Sequence, residues 1–365
     1  MKEVILTKDN ISLELENQGY LKMASSPAIN TAHKALSAGK EGLTRMQTNL
    51  AKVNHAQNIE LQASGNKRRV IATSSNSTVT IEIDDIKKLA GSNKGAKKML
   101  DFILIKMNRQ AYRDDEMVRD YIDFPLKELI TAGLYSTPQS ARKGYKDAMD
   151  IITSMKFSGE LRKGTQNKIS QMAIEVLFPS AYLKNGICTV YMNSRVNWDF
   201  VLSFYTIIPK WAFKLKNNAY ALLRYIFYLA RQNTEAIKKK GYFTISIRAV
   251  CAELNLPDIE ETKNPGRDII DIIEDAISEI EQENNDSDFT ITPVNFDVDT
   301  PVRERLTNGY LKIGLKGKYH FFIDIAKAEE QQIAAHERRQ ERIKEQAAVK
   351  ALAKKLKNDT PKTEE

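Results

Sequence analysis

The sequence predicts an α+β, helix-rich chain in which one order of elements, helix, strand, helix, helix, strand, strand, occurs twice. Two observations predict it. The first is the stretch Phe124-Pro125-Leu126-Lys127-Glu128-Leu129-Ile130-Thr131-Ala132-Gly133-Leu134-Tyr135-Ser136-Thr137-Pro138. A short helix with Leu126, Leu129 and Ile130 stops at Gly133, three residues turn the chain, and a second helix starts where Thr137 can cap it and Pro138 fits the first helical position. That is a helix-turn-helix. The second observation is a later run of elements in the same order, opened by an apolar helix at Ala212 to Arg231. The order is that of a winged helix. The expected architecture is therefore two tandem winged-helix domains, 79–200 and 201–322, with a largely disordered, flexible N-terminal segment at 1–78 and a charged helical C-terminal tail at 323–365.

In the first domain, Thr78 to Ile83 alternates as a strand, and Lys94 to Arg113 is a helix with a broad apolar face carrying Met99, Leu100, Phe102, Ile103 and Met107. Tyr121 to Phe124 is a short strand. The helix from Pro138 to Met155 places Ala141, Tyr145, Ala148, Ile152 and Met155 on one buried stripe, at alternating steps of four and three. Gln139, Arg142, Lys143 and Lys146 fall on the opposite face near its start, where a reading helix presents side chains to a major groove. Lys156 to Arg162, the tip Lys163 to Lys168 and the β-rich run Ile169 to Phe178 read as strand, basic tip, strand: a wing.

In the second domain, Tyr242 to Ile247 alternates as a strand, Ile247 to Leu254 is a short helix, and Asn264-Pro265 offers a cap and first position for a long helix. Its core side carries Ile269 or Ile270, Ile273, Ala276 or Ile277, and Ile280. Phe289 to Val294 and Gly309 to Leu315 are the expected wing strands. Lys263 and Arg267 open the reading helix, but Asp268, Asp271, Glu274 and Asp275 follow, so only its first turn suits phosphate. Arg303, Arg305, Lys312 and Lys316 surround the wing.

The flanks carry less pattern. Residues 1–78 hold scattered apolar positions, and Ala63 to Arg69 followed by Ser74 to Ser77 reads as linker. Lys67, Arg68 and Arg69 are either solvated linker charge or an arm that touches phosphates. From Ile325 to Lys357 the chain is Ala-, Glu-, Gln-, Lys- and Arg-rich without Gly or Pro, so it should be a solvated helix.

Of 365 residues, 55 are Lys or Arg and 47 are Asp or Glu, a net charge of +8 whose excess lies in the first 200 positions. That balance suits a polyanionic partner. Cys188 and Cys251 stand far apart, as reduced thiols in a cytoplasmic protein do. The start lacks the apolar run of a signal peptide, and no segment reaches the ~18 apolar residues of a membrane helix.

Catalytic patterns are missing. His33, His55, His320 and His336 stand alone, without the closely spaced pair that would hold a cation beside a nucleophilic Tyr. Gly91 to Lys98 has neither the spacing nor the terminal Ser or Thr of a phosphate-cradling loop. There is no CxxC pair, no GxSxG and no acidic cluster with ligand spacing. The expectation is a non-enzymatic protein without metal or cofactor.

Ala96-Lys97-Lys98-Met99-Leu100-Asp101-Phe102-Ile103-Leu104-Ile105-Lys106-Met107-Asn108, Phe124 to Leu129, Tyr135-Ser136-Thr137 and Ser140 to Lys143 resemble the amino-terminal winged helix of plasmid replication initiators of the iteron-binding type. Ala212-Phe213-Lys214-Leu215-Lys216-Asn217-Asn218-Ala219-Tyr220-Ala221-Leu222-Leu223-Arg224-Tyr225-Ile226 is similar to the segment that opens their second one. The likeness covers about residues 79–320. It implies binding to double-stranded DNA at origin direct repeats, opening of an AT-rich segment, recruitment of host helicase or initiator proteins, and a monomer–dimer equilibrium. In that family the second domain usually carries the dominant major-groove contact, from which the acidic helix after Arg267 departs. The expected DNA contacts are Thr137, Gln139, Ser140, Arg142, Lys143, Lys146, Arg162, Lys163, Lys168, Lys263, Asn264, Arg267, Lys312 and Lys316. Gln139, Arg142 and Lys143 are assigned to base edges, and Arg162, Lys163 and Lys168 to backbone. A transcription regulator of the same fold shares every one of these residues, and a protein-binding adaptor fits the near-neutral second half.

Overall fold

The structure, a computed structural model, describes residues 15–24, 29–30, 32–33, 36, 57–64, 67–74, 77–83, 95–113, 121–163, 168–196, 205–254, 256–257, 259–260, 262–296, 299–317 and 319. It combines helices with small antiparallel sheets. The tail helix expected after Ile325 lies outside the described residues, as does the tip at 164–167. Among the described residues no helix is long and apolar enough to cross a membrane.

The first unit opens with helix α1 (Ala96–Arg113), followed by strand β5 (Tyr121–Pro125), helix α2 (Lys127–Thr131) and helix α3 (Pro138–Ile152). The stripe on α3 is buried as its spacing requires: Ala141, Tyr145, Ala148 and Ile152, with Met155 after it, are all interior. Phe102 of α1 meets Phe124 edge-on at 5.3 Å, and Phe124 meets Tyr145 in the same way at 6.2 Å. Strands β8 (Ser180–Lys184) and β9 (Ile187–Tyr191) complete a three-stranded sheet of order β5-β9-β8.

The strands expected as the wing form a different sheet. Strands β6 (Met155–Lys163) and β7 (Lys168–Val176) do pair as a hairpin. They continue a five-stranded sheet with β2 (Gln57–Ser64), β3 (Lys67–Ser74) and β4 (Ser77–Ile83), through pairing of β4 with β6. The hairpin that closes on β5 is the later one. Gln57–Ser64 and Lys67–Ser74, inside the segment expected to be largely disordered and overlapping the run expected as linker, are thus two strands.

The second unit repeats the plan. A 3-10 turn at Lys210–Lys214 leads to helix α4 (Asn217–Gln232), then α5 (Thr234–Lys240), strand β11 (Tyr242–Ser246) and α6 (Ile247–Leu254). A π turn at Gly266–Ile270 runs into α7 (Asp271–Glu283), followed by β12 (Phe289–Val294), α8 (Val302–Asn308) and β13 (Tyr310–Leu315). The sheet order is β11-β13-β12. In both units the last strand therefore lies between the other two. One backbone bond recurs as well: Leu126 N donates to Gly186 O at 2.8 Å, and Ile247 N donates to Gly309 O at 3.1 Å. Each ties the residue after the first strand to the glycine before the last strand.

The units share one hydrophobic core. Strand β1 (Tyr20–Ala24) pairs along its whole length with β10 (Tyr205–Pro209). Phe102 of α1 packs on Phe213 of the 3-10 turn at 6.1 Å. Lys98 Nζ donates to the carbonyls of Phe213 and Leu215, a cation placed on the open carbonyl end of that turn. Burial brings its pKa down to about 8.

Candidate nucleic-acid interface

Helix α3 begins at a reciprocal cap. Thr137 Oγ1 accepts from Ser140 N at 3.1 Å, and Ser140 Oγ accepts from Thr137 N at 3.1 Å, satisfying two donors that a helix start leaves open. Thr137 and Ser140, expected at DNA, are thereby engaged in forming the helix end. Pro138 takes the first position, where no amide hydrogen is needed. The turn before it depends on Gly133 at φ +86°, a conformation L side chains avoid. Any Cβ there would also press on Lys214 Cγ.

Tyr135 fixes how the turn sits on the helix. Its ring lies over Gly144, so close that a methyl group on that glycine would overlap it. The Tyr135 hydroxyl is buried without a hydrogen-bond partner among the described residues. Burial, helped by Asp147, pushes its pKa up to about 12. The other side of α3 is anchored by Tyr145, whose hydroxyl donates to Thr189 O on β9 at 3.0 Å.

With that face fixed, Gln139, Arg142, Lys143 and Lys146 are exposed together on the other. They crowd the first half of the helix, where its positive end also faces outward. Beside them, the β8–β9 hairpin turns through Asn185 at φ +51° and Gly186 at φ +78°, the geometry of a two-residue turn. The Gly186 carbonyl holds Leu126 at the start of α2, so exposed Lys184 stands next to the two-helix unit. Lys184 is the residue that sequence reasoning missed. Its signal was Asn-Gly between the alternating runs Tyr182 to Lys184 and Ile187 to Tyr191.

Arg162, Lys163 and Lys168 are placed elsewhere. They occupy the far end of the β6–β7 hairpin, paired as Arg162 with Ile169 and Lys163 with Lys168, in the five-stranded sheet. Lys67 to Arg69 belong to the opposite end of that sheet, since Arg68 pairs with Ile83 and Ile83 with Met155. The register therefore sets Lys67 to Arg69 and the group Arg162, Lys163 and Lys168 at opposite ends of one sheet.

In the second unit, Lys263, Asn264 and Arg267 are exposed and line a shallow concavity with Pro265, Gly266 and Val302. The expected Asn264 cap is not formed: the helix start has no side-chain cap, and a π turn widens it instead. Arg267 Nε is bound to Asp268 Oδ1 at 3.0 Å, which reduces the charge it can offer. Val302, the first residue of α8, also lines the concavity, and the next residue, Arg303, is exposed. Lys312 and Lys316 do not join it. Lys312 lies over the Tyr242 ring at 4.3 Å on the outer face of the sheet. Lys316 N donates to Asp288 O at 2.9 Å, at the opposite end of β13 from the 295–309 connection, roughly 20 Å away at ordinary strand rise.

No family model matches the chain, and no curated protein matches it. Among solved structures it is similar to the crystal structure of RctB domains 2–3, with TM-score 0.36 and 11% identity, covering 77% of this chain and 95% of that one. A crystal structure of selenomethionine derivatives of domain 2 and domain 3 of RctB has TM-score 0.36 and 9% identity, covering 72% and 92%. Likenesses of that depth assign this chain neither a fold nor a role.

Proposed function

We propose that the chain is a double-stranded DNA-binding protein of two winged-helix units that initiates replication at repeated origin sites. The observation that carries the reading is the exposed set Gln139, Arg142, Lys143 and Lys146, on the face of a capped helix opposite its buried stripe. In this reading α3 enters a major groove, and Arg142 and Gln139 meet base edges through paired hydrogen bonds worth about 1–3 kcal/mol of discrimination each. The Lys184-Asn185-Gly186 turn is the first wing and touches phosphate. The second unit contributes Lys263 and Arg303 near the start of its own reading helix, where acidic residues follow and limit how deep it enters. Binding needs no covalent chemistry, metal or cofactor. Recruitment of host replication proteins completes the role.

The test is selection of bound fragments from the DNA that carries this gene. Direct repeats beside an AT-rich tract are the expected product. A single operator beside a promoter would make the chain a transcription regulator of the same fold. Loss of all duplex binding at low salt would overturn both. Arg142→Ala should flatten sequence preference on a panel of selected sites.

A further inference from the structure

We propose that the described residues between Leu15 and Leu36 form a clasp that holds the two reading helices at one separation, so that the chain recognises paired half-sites of fixed spacing. The statement about half-sites rests on the duplex-reading role above; the clasp itself does not.

The segment reaches both units. At its start, Lys210 N donates to Gly19 O at 2.8 Å and Lys210 Nζ donates to Glu16 O at 2.5 Å, closing the end of the β1–β10 ladder. Tyr20 and Tyr319 bring their hydroxyls within 2.8 Å of each other, and both reach Asp286 Oδ2, at 2.8 and 3.0 Å. Asp286 follows α7, so the clasp touches the far end of the second reading helix. Further on, His33 Nε2 lies 2.7 Å from Asp101 Oδ1 on α1, and Asn30 Oδ1 accepts from Arg224 Nη2 on α4 at 3.0 Å. Arg224 Nε and the Tyr220 hydroxyl both donate to Asp101 Oδ2, at 3.1 and 2.7 Å. His33, Asn30, Asp101, Tyr220 and Arg224 are all buried.

These contacts restrict geometry in a way apolar packing does not. An apolar surface tolerates sliding, whereas a buried carboxylate and guanidinium that slide apart are left unmatched in a low-dielectric interior. Helix α3 packs on α1, and α7 packs on α4. Fixing α1 against α4 therefore fixes α3 against α7, and the clasp adds buried polar contacts to both helices, His33 to Asp101 on α1 and Asn30 to Arg224 on α4.

The experiment uses the full chain with nitroxide labels on Lys146→Cys in α3 and Asp275→Cys in α7, both exposed, while Cys188 and Cys251 are buried. Pulsed electron resonance should give one narrow distance. Tyr20→Phe, which removes a hydroxyl and keeps the ring, and Tyr20→Phe/His33→Leu should broaden it by about twofold or more while circular dichroism shows both still folded. On duplexes carrying two selected half-sites with gaps up to about six base pairs, the parent should prefer one gap by about tenfold, and the double variant should lose that preference without weaker binding to a single half-site. A broad distance in the parent, or folded variants as narrow as the parent, overturns the clasp. A parent that binds no duplex overturns the DNA reading alone, because the label distances still decide the clasp.

Discussion

Arg224 Nε donates to Asp101 Oδ2 across 3.1 Å, with both side chains buried and one supplied by the first helix of each unit. Removing either partner leaves the other as an unmatched interior charge. Arg224→Met should therefore cost about 3–5 kcal/mol, while the paired change Asp101→Leu/Arg224→Met should recover much of that loss. Urea unfolding of the single and double variants measures both. Losses in Arg224→Met and Asp101→Leu that simply add in the double variant would show that the two charges do not act as a pair.

His33 supplies a dependence on acid. Burial, with Arg224 and Lys97 adding to it and Asp101 opposing, lowers its pKa to about 4 in the folded chain. Unfolded, it titrates near the ordinary value of about 6.5. Between these values the unfolded chain binds a proton that the folded chain refuses. The stability is thus fully present above pH ~6.5 and declines by about 3 kcal/mol as the pH falls to about 4. Burial works against ionisation of Asp101, but His33 and Arg224 outweigh it and hold this carboxyl below its usual value, so it titrates beneath the window. The urea midpoint of the parent should fall between pH 7.5 and pH 5, and His33→Gln should flatten that fall. A parental midpoint that does not move would sink the assignment.

At the turn before α3, two substitutions should move in opposite directions. Gly144→Ala drives a methyl into the Tyr135 ring and should cost about 1–3 kcal/mol through overpacking. Tyr135→Phe removes a buried hydroxyl with no partner among the described residues, and should be neutral or stabilising by up to about 1 kcal/mol. Thermal melting distinguishes them. A large loss in Tyr135→Phe would mean that the hydroxyl has a partner in solution.

The proposed role of the Lys184-Asn185-Gly186 turn can be checked by salt titration. Lys184→Ala should weaken binding to all duplex sequences alike and reduce the logarithmic salt slope by about one. Lys316→Ala, at the opposite end of its strand, should leave the slope unchanged. The reverse result would place the contact surface at the other end of the sheets.

What could be read in advance was local. The stripe Ala141, Tyr145, Ala148 and Ile152 repeats at helical spacing, and the cap and Pro138 mark where the helix begins, so α3 and its exposed basic face were legible. Which hairpin closes on β5 was not, because two hairpins follow α3 and only pairing decides between them. The basic tip at Lys163 to Lys168 drew attention on charge, whereas Asn185-Gly186 carried the stronger turn chemistry. Strands β2 and β3 were not legible because the Ser-, Asn- and Gly-rich composition around them carries no strand pattern. His33, Asp101 and Arg224 lie 68 and 123 positions apart along the chain, and no short-range periodicity links them.

The pairing of β1 with β10, and the reach of Tyr20 to Tyr319, bear on how the protein is made. Tyr20 leaves the ribosome before either of its partners, since its strand partner is nearly two hundred positions behind it and its hydroxyl partner almost three hundred. Contacts that distant form late and slowly. The N-terminal strand must wait with its backbone unpaired until most of the polypeptide has emerged, so a product truncated before residue 205 would leave an open edge and a half-filled interior, a substrate for proteolysis rather than a working half-molecule.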